Sequence, residues 1–272
     1  MKLENCTPND LAEAWASISK KRPLIFHVTN AVATALSANI CLAVGASPLM
    51  SQYSEETEEL VDLAQGFLVN LGTPSQAGWD TVNRGMKAAA GKPIFTLLDP
   101  VGYGASRFRV ESTNRLLEEH RFSIIKGNAG EISLLAGVGG ETKGVDSLSA
   151  GDLDKGVLAL ARKYGCVVCA TGEVDTLSDG DSIVQIEGGS PILPFLSGSG
   201  CIAGTVVLSA AAACGDAAIG TLCGLVAMGE ASERAAKNAS GCGTFVPLLI
   251  DELYQLKPED FRARGPRWTV VN

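Results

Sequence analysis

The run Ser197-Gly198-Ser199-Gly200-Cys201 leads straight into a long apolar segment that reads as a helix from Cys201. Successive backbone N–H groups at a glycine-rich helix start form an anion site, with the positive end of the helix dipole behind it. Such a loop suits a transferring phosphoryl group. It is not a Walker A loop, because no Gly-Lys-Ser/Thr follows, and it lies too late in the chain for a dinucleotide fingerprint. Cys201, at the start of that helix, is expected to have a depressed pKa and to favour the thiolate. Phosphoryl transfer also needs magnesium and a cation. Asp99 at a strand end and Glu131 at a helix start are hard-oxygen candidates for Mg²⁺, directly or through water. Asn128 is placed to orient the same water shell, and Lys126 to neutralise phosphate charge. The two histidines offer little: His120 ends a charged helix and reads as solvated, and His27 reads as packing near a strand end.

These residues need a frame. Residues 23–28, 67–70, 94–98, 123–126 and 167–171 are short apolar runs that read as fully buried strands. Helical signals lie between them. Val32, Leu36, Ile40 and Val44 recur every fourth residue, Ser54 precedes two acidic residues like a cap, and Ser149 and Asp152 have capping-box spacing. Alternating strand and helix imply an α/β fold, a mostly parallel sheet covered on both faces. Residues 176–178 and 183–186, joined through Asp179-Gly180, read as an antiparallel edge hairpin. Four of the parallel strands end in polar or glycine-rich turns: Asn70-Leu71-Gly72-Thr73, Asp99-Pro100-Val101-Gly102, Lys126 to Glu131, and Thr171-Gly172-Glu173. The carboxyl ends of parallel strands share a crevice, so the four turns are expected to meet at one ligand.

Composition removes other classes. The 272 residues carry a net charge of −8, which argues against nucleic-acid and anionic-membrane partners. Charged residues are 19% of the chain and hydrophobic residues 46%, enough for a large core and incompatible with disorder. The nearly uncharged segment 201–229 is broken at Gly215-Asp216 and reads as two buried helices, not a membrane span. Residues 1–272 read as a single domain. No secretory core opens the chain, so its eight cysteines read as reduced thiols of a cytoplasmic protein. Cys166 and Cys169, three apart on a strand, point to opposite faces and read as small core residues instead of metal ligands.

Several segments, in order, resemble the hydroxyethylthiazole kinase family of thiamine salvage, a branch of the ribokinase-like superfamily. They are Thr29-Asn30, residues 45–50, Asp99 to Gly102, Gly127 to Glu131, Thr171 to Asp175, Gly198 to Cys201, and Phe245-Val246-Pro247. The resemblance spans residues 23–256 and implies a ribokinase-like three-layer sandwich. It implies ATP- and Mg²⁺-dependent phosphorylation of the primary hydroxyl of 4-methyl-5-(2-hydroxyethyl)thiazole. Carried over by motif, Met50 and Gly198 would contact the thiazole with Asn30 close by. Lys126 and Thr171 would bind ATP, and Asp99 and Glu131 would organise Mg²⁺. Gly198, Ser199, Gly200 and Cys201 would form the anion hole, and Cys201 would stand where most ribokinase-like enzymes place an aspartate base. The family also implies a homotrimer with its sites between subunits. Lys126 replaces the family's usual arginine, the anion loop has serines where threonines are common, and Phe26-His27 departs from the usual pair. Two rivals are a kinase for another heterocyclic alcohol, such as hydroxymethylpyrimidine, and a non-catalytic thiazole or nucleotide sensor. Asp99, Glu131 and Cys201 together speak against the sensor.

Overall fold

Five short apolar runs do become strands, each buried on both sides. The computed structural model describes residues 2–138, 150–263 and 265–271. In chain order the elements are α1 (Pro8–Lys21), β1 (Leu24–Val28), α2 (Thr34–Ala43), β2 (Ser47–Met50), α3 (Thr57–Leu63), β3 (Gly66–Asn70) and α4 (Gln76–Ala89). Then come β4 (Phe95–Asp99), α5 (Arg107–Glu119), β5 (Ile124–Asn128), α6 (Ala129–Ala136), α7 (Ala150–Tyr164), β6 (Val167–Thr171), β7 (Val174–Ser178) and β8 (Ile183–Glu187). The chain continues through α8 (Ser199–Cys214), α9 (Ala217–Asn238), α10 (Cys242–Gln255), α11 (Pro258–Ala263) and β9 (Trp268–Val271). The nine strands form one sheet in the order β2-β1-β3-β4-β5-β6-β7-β8-β9. The first six are parallel and the last three antiparallel.

Side chains alternate across a strand, so each strand feeds two cores. Ile25, Leu68, Leu97, Ile124 and Cys169 pack with α1, α2, α8, α9, α10 and α11 on one face. Phe26, Phe67, Leu98, Ile125 and Cys166 pack with α3 to α7 on the other. This is a three-layer sandwich. The two cysteines fall in different cores, as their spacing requires, and both are free thiols. The segment with the Gly215-Asp216 break forms α8 and α9, and Asp216 caps α9 by accepting from the N–H groups of Ala218 and Ile219. The two helices touch through glycine: a Cβ on Gly220 would lie 2.2 Å from Ala211 Cα, and one on Gly224 would lie 2.6 Å from Val207 Cα. Among the described residues no helix is long and apolar enough to cross a membrane.

Three local expectations change. Strands β2 and β9 are the sheet's two edges, and neither has a continuous apolar run; β2 holds Pro48, which an edge tolerates because one side of the strand needs no ladder bonds. The expected hairpin of β7 and β8 is there, in the sheet's antiparallel edge region, with β9 added as the outermost strand. Ser54 opens a short 3₁₀ turn and caps nothing, while Val32 lies exposed ahead of α2. His120 is half-buried at the end of α5, with Nε2 enclosed and without a partner among the described residues. The capping-box residue Ser149 lies outside the described residues.

Candidate active site

Register places the polar strand ends side by side. Asn70 pairs with Asp99 across β3 and β4, and Asn128 with Thr171 across β5 and β6. Alternation then selects a face: His27, Asn70, Asp99 and Lys126 each stand two residues beyond a side chain of the α8 core. Helix α8 crosses β1, β3, β4 and β5 on that side and begins over their carboxyl ends.

Helix α8 is grooved where Lys126 runs beneath it. Gly200 and Gly204 lie one turn apart; a Cβ on Gly204 would be 3.9 Å from Lys126 Cδ, and one on Gly200 would be 3.3 Å from Lys126 Nζ. The lysine stem thus passes along two glycines and delivers its ammonium to the first turn of the helix. Gly198 caps that helix at φ +82°, a left-handed conformation that favours glycine. The first turn leaves the N–H groups of Gly200 and Cys201 without a carbonyl one turn back, so they are open to an anion. Ser199 N–H is bent onto Leu196 O (3.3 Å).

Lys126 is 2% exposed and pairs with Asp99 Oδ2 at 3.2 Å. Burial alone would lower the lysine pKa, but the facing Asp99, with Cys169, Cys201 and Glu131 adding to it, raises it, so the ammonium stays charged. Asp99 is pushed up by burial and by Glu131, against the pull of Lys126 and Asn70. Its Oδ1 is enclosed and has no hydrogen-bond partner among the described residues.

That orphaned oxygen is where a hard cation fits. Mg²⁺ keeps several waters and takes one or two carboxylates plus substrate phosphates, so it needs no protein cage. Among the described residues no three His, Cys, Asp or Glu side chains converge on a metal position. Glu131 lies close by in a capping box: Oε2 accepts from Asn128 N–H (2.8 Å), and Asn128 Oδ1 accepts from Glu131 N–H (2.8 Å). Glu131 Oε1 accepts from Gly102 N–H at 2.7 Å, tying the turn after β4 to α6. Asn128 is therefore a helix cap, and the charge of Glu131 is felt at Asp99.

Cys201 departs from its expectation. Its thiol pKa is raised, because burial and the charge of Asp99 outweigh the hydrogen bonds and charge supplied by Asn70, Lys126 and Asn30. The helix start supplies no net thiolate here; the sulfur is a thiol at neutral pH. Asn30 Nδ2 donates to it at 3.1 Å and to Asn70 Oδ1 at 2.8 Å. Met50 ends β2 opposite His27, half-buried, and Thr171 Oγ1 donates to Gly127 O at 3.3 Å.

One contact escaped the sequence reading, and His27, expected to pack near a strand end, does so. Asn70 stood at a noted strand end, but only register shows that it abuts Asp99. His27 is fully buried in β1, where Ile25 O accepts from Nδ1 (2.9 Å). That fixes the tautomer and leaves Nε2 to accept from Thr205 Oγ1 (3.3 Å), one helical turn beyond Cys201. Burial lowers its pKa to about 4, so the ring is neutral and braces β1 against α8.

Residues 15–259 match the hydroxyethylthiazole kinase family. The hydroxyethylthiazole kinase of Thermoanaerobacter pseudethanolicus is 40% identical over 245 residues, spanning 89% of this chain and 93% of that protein. The solved structure of a hydroxyethylthiazole kinase protein from Pyrococcus horikoshii superposes with a TM-score of 0.88 at 30% identity, covering 96% of this chain and 99% of that one. A ribokinase-like superfamily protein from Enterococcus faecalis shares the fold, with a TM-score of 0.61 at 12% identity over 94% of each chain.

Proposed function

The chain belongs to the hydroxyethylthiazole kinase family, and on that premise we propose that it transfers the γ-phosphoryl group of ATP to the primary hydroxyl of 4-methyl-5-(2-hydroxyethyl)thiazole, in thiamine salvage. The observation that carries the reading is the position of Lys126 Nζ, between Asp99 and the open first turn of α8 beside Cys201. A buried cation under exposed backbone donors stabilises negative charge developing on a transferring group, and such preorganised contacts are the main catalytic resource in phosphoryl transfer.

Each residue has a part in this reading. The N–H groups of Gly200 and Cys201, on the loop of Gly198 and Ser199, hold the transferring phosphoryl oxygens. Lys126 offsets their charge from below, and Thr171 and Lys126 bound the ATP side. Asp99, with Glu131, would hold Mg²⁺ directly or through water, and the ion bound there with the nucleotide would neutralise phosphate charge. Met50 and Gly198 contact the thiazole, with Asn30 at its edge. In its thiolate form, Cys201 Sγ takes the hydroxyl proton late in the transfer. Its raised pKa means that the acceptor form grows with rising pH. Removing such a proton acceptor costs about 10²–10⁴-fold in rate.

The same reading makes the whole chain one cytoplasmic catalytic domain that assembles as a homotrimer with sites between subunits. Val32 and Tyr53, next along the chain to the Asn30 and Met50 segments, are each 61% exposed, which supports an apolar contact there. A sedimentation mass of one chain would remove the trimer. The reaction itself is tested by ADP formation from Mg-ATP with hydroxyethylthiazole, hydroxymethylpyrimidine or no acceptor. Release that depends on the thiazole is expected; release with the pyrimidine alone would overturn the substrate.

A further inference from the structure

Two asparagine amides lie between the sulfur of Cys201 and the carboxylate of Asp99, and one backbone donor, acting through Asn70, fixes which way both point. Ala33 N–H donates to Asn30 Oδ1 at 3.0 Å, and Asn30 turns its NH₂ the other way, onto Cys201 Sγ and Asn70 Oδ1. Gly72 N–H donates to Asn70 Oδ1 at 3.0 Å, so Asn70 in turn faces its NH₂ to Asp99 Oδ2 at 3.1 Å. A backbone N–H can only donate, so Asn70 cannot flip without leaving Gly72 N–H unpaired; Ala33 N–H has a second acceptor in Asn30 O at 3.2 Å, so Asn30 is held by Asn70 Oδ1, which can only accept from its NH₂. The turn is shaped to keep this contact: a Cβ on Gly72 would lie 2.7 Å from Asn30 Cβ, and Thr73, held at φ +37°, accepts from Ala31 N–H through Oγ1 at 2.9 Å. Both asparagines are about 4% exposed. Cys201 therefore receives a directed N–H, and the group directing it is Asn70, held by the strand that ends beside Asp99.

We propose that Asn70 is a positioning residue for this reaction: it locks Asn30 with a donor on Cys201 Sγ, and its own NH₂ holds Asp99 Oδ2, so the proton acceptor and the carboxylate keep one fixed relation. The inference rests on the phosphoryl-transfer reading of the same site. Without Asn70, Asn30 loses the acceptor that orients it, and a deprotonated sulfur loses both that directed donor and the hydrogen bond of Asn70 itself. Asp99 loses one of its two partners at Oδ2.

The test compares the full chain with Asn70→Ala and Asn70→Asp. Asn70→Asp keeps an acceptor for Gly72 and Asn30, so the turn stays anchored, but it sets an anion against Asp99. The first readout is the iodoacetamide alkylation rate of Cys201 against pH, followed on the peptide that carries it. At pH 8 both variants are expected to alkylate Cys201 about tenfold more slowly, one unit in the thiol's pKa. A residue that merely supports the fold would give the opposite sign, since loosening exposes the sulfur and speeds alkylation. The second readout is steady-state turnover with Mg-ATP and hydroxyethylthiazole, where kcat is expected to fall with KM for either substrate within about twofold. Unchanged or faster alkylation in both variants, or a loss confined to KM, would overturn the role of Asn70. A wild-type chain that never turns over the thiazole would instead remove the functional reading and leave the alkylation shift standing.

Discussion

Asp99 shows how much of this site was legible from residue type. An aspartate ending a buried strand, a lysine ending the next and a cysteine at a glycine-rich helix start are enough to suggest phosphoryl chemistry. The ionisation of Cys201 was not legible, because it depends on burial and on Asp99, which stands 102 positions earlier in the chain. The partnership makes a specific prediction. Asp99→Asn removes the charge that pushes the thiol up and leaves Lys126 to pull it down. Alkylation of Cys201 in the folded variant should then be faster at a given pH, while kcat falls about 10²–10³-fold for want of the carboxylate. Slower alkylation in Asp99→Asn would mean that Asp99 is not what raises the thiol. Stability should fall too, since an unpaired buried ammonium costs about 3–5 kcal/mol.

Element by element, the buried strands were legible because parallel strands covered on both faces are continuously apolar, and α8 and α9 because Gly215-Asp216 breaks one long run. The edges β2 and β9 were not, since a half-covered strand carries no such run. The groove on α8 was also hidden: Gly200 and Gly204 look like ordinary small residues until Lys126 is placed under them. The two kinds of glycine in α8 and α9 should respond differently to alanine. Gly200→Ala puts a Cβ 3.3 Å from Lys126 Nζ, the mobile end of a side chain, while the helix gains about 0.5–1 kcal/mol. Its melting temperature should hold or rise, and kcat should fall about tenfold as the ammonium shifts. Gly220→Ala meets the Ala211 backbone at 2.2 Å, so it should cost at least about 1–3 kcal/mol in thermal unfolding. A Gly200→Ala enzyme of full activity would show that the ammonium has room to spare.

At the scale of the whole molecule, one buried ring ties stability to pH. His27 is neutral in the folded chain, with its pKa lowered from 6.5 to about 4 by burial. The unfolded chain binds that proton below about 6.5, so acid favours unfolding there, and stability is lost as the pH falls from 6.5 toward 4. The full effect is about 3 kcal/mol at 1.36 kcal/mol per unit. Urea unfolding at pH 7.5 and 4.5 should show most of that loss in the wild type, and a smaller loss in His27→Gln; equal losses would place the proton elsewhere. The distribution of the first core has a further consequence. Helix α1 lies against α8, α9 and α11, and Trp15 Nε1 donates to Leu256 O, 241 residues later. At about 5–20 residues per second, the ribosome delivers the parallel strands well before α8 to α11, the later helices on one of their faces. A nascent chain therefore carries a half-clothed sheet through the last quarter of its synthesis, the interval in which a chaperone has most to shield.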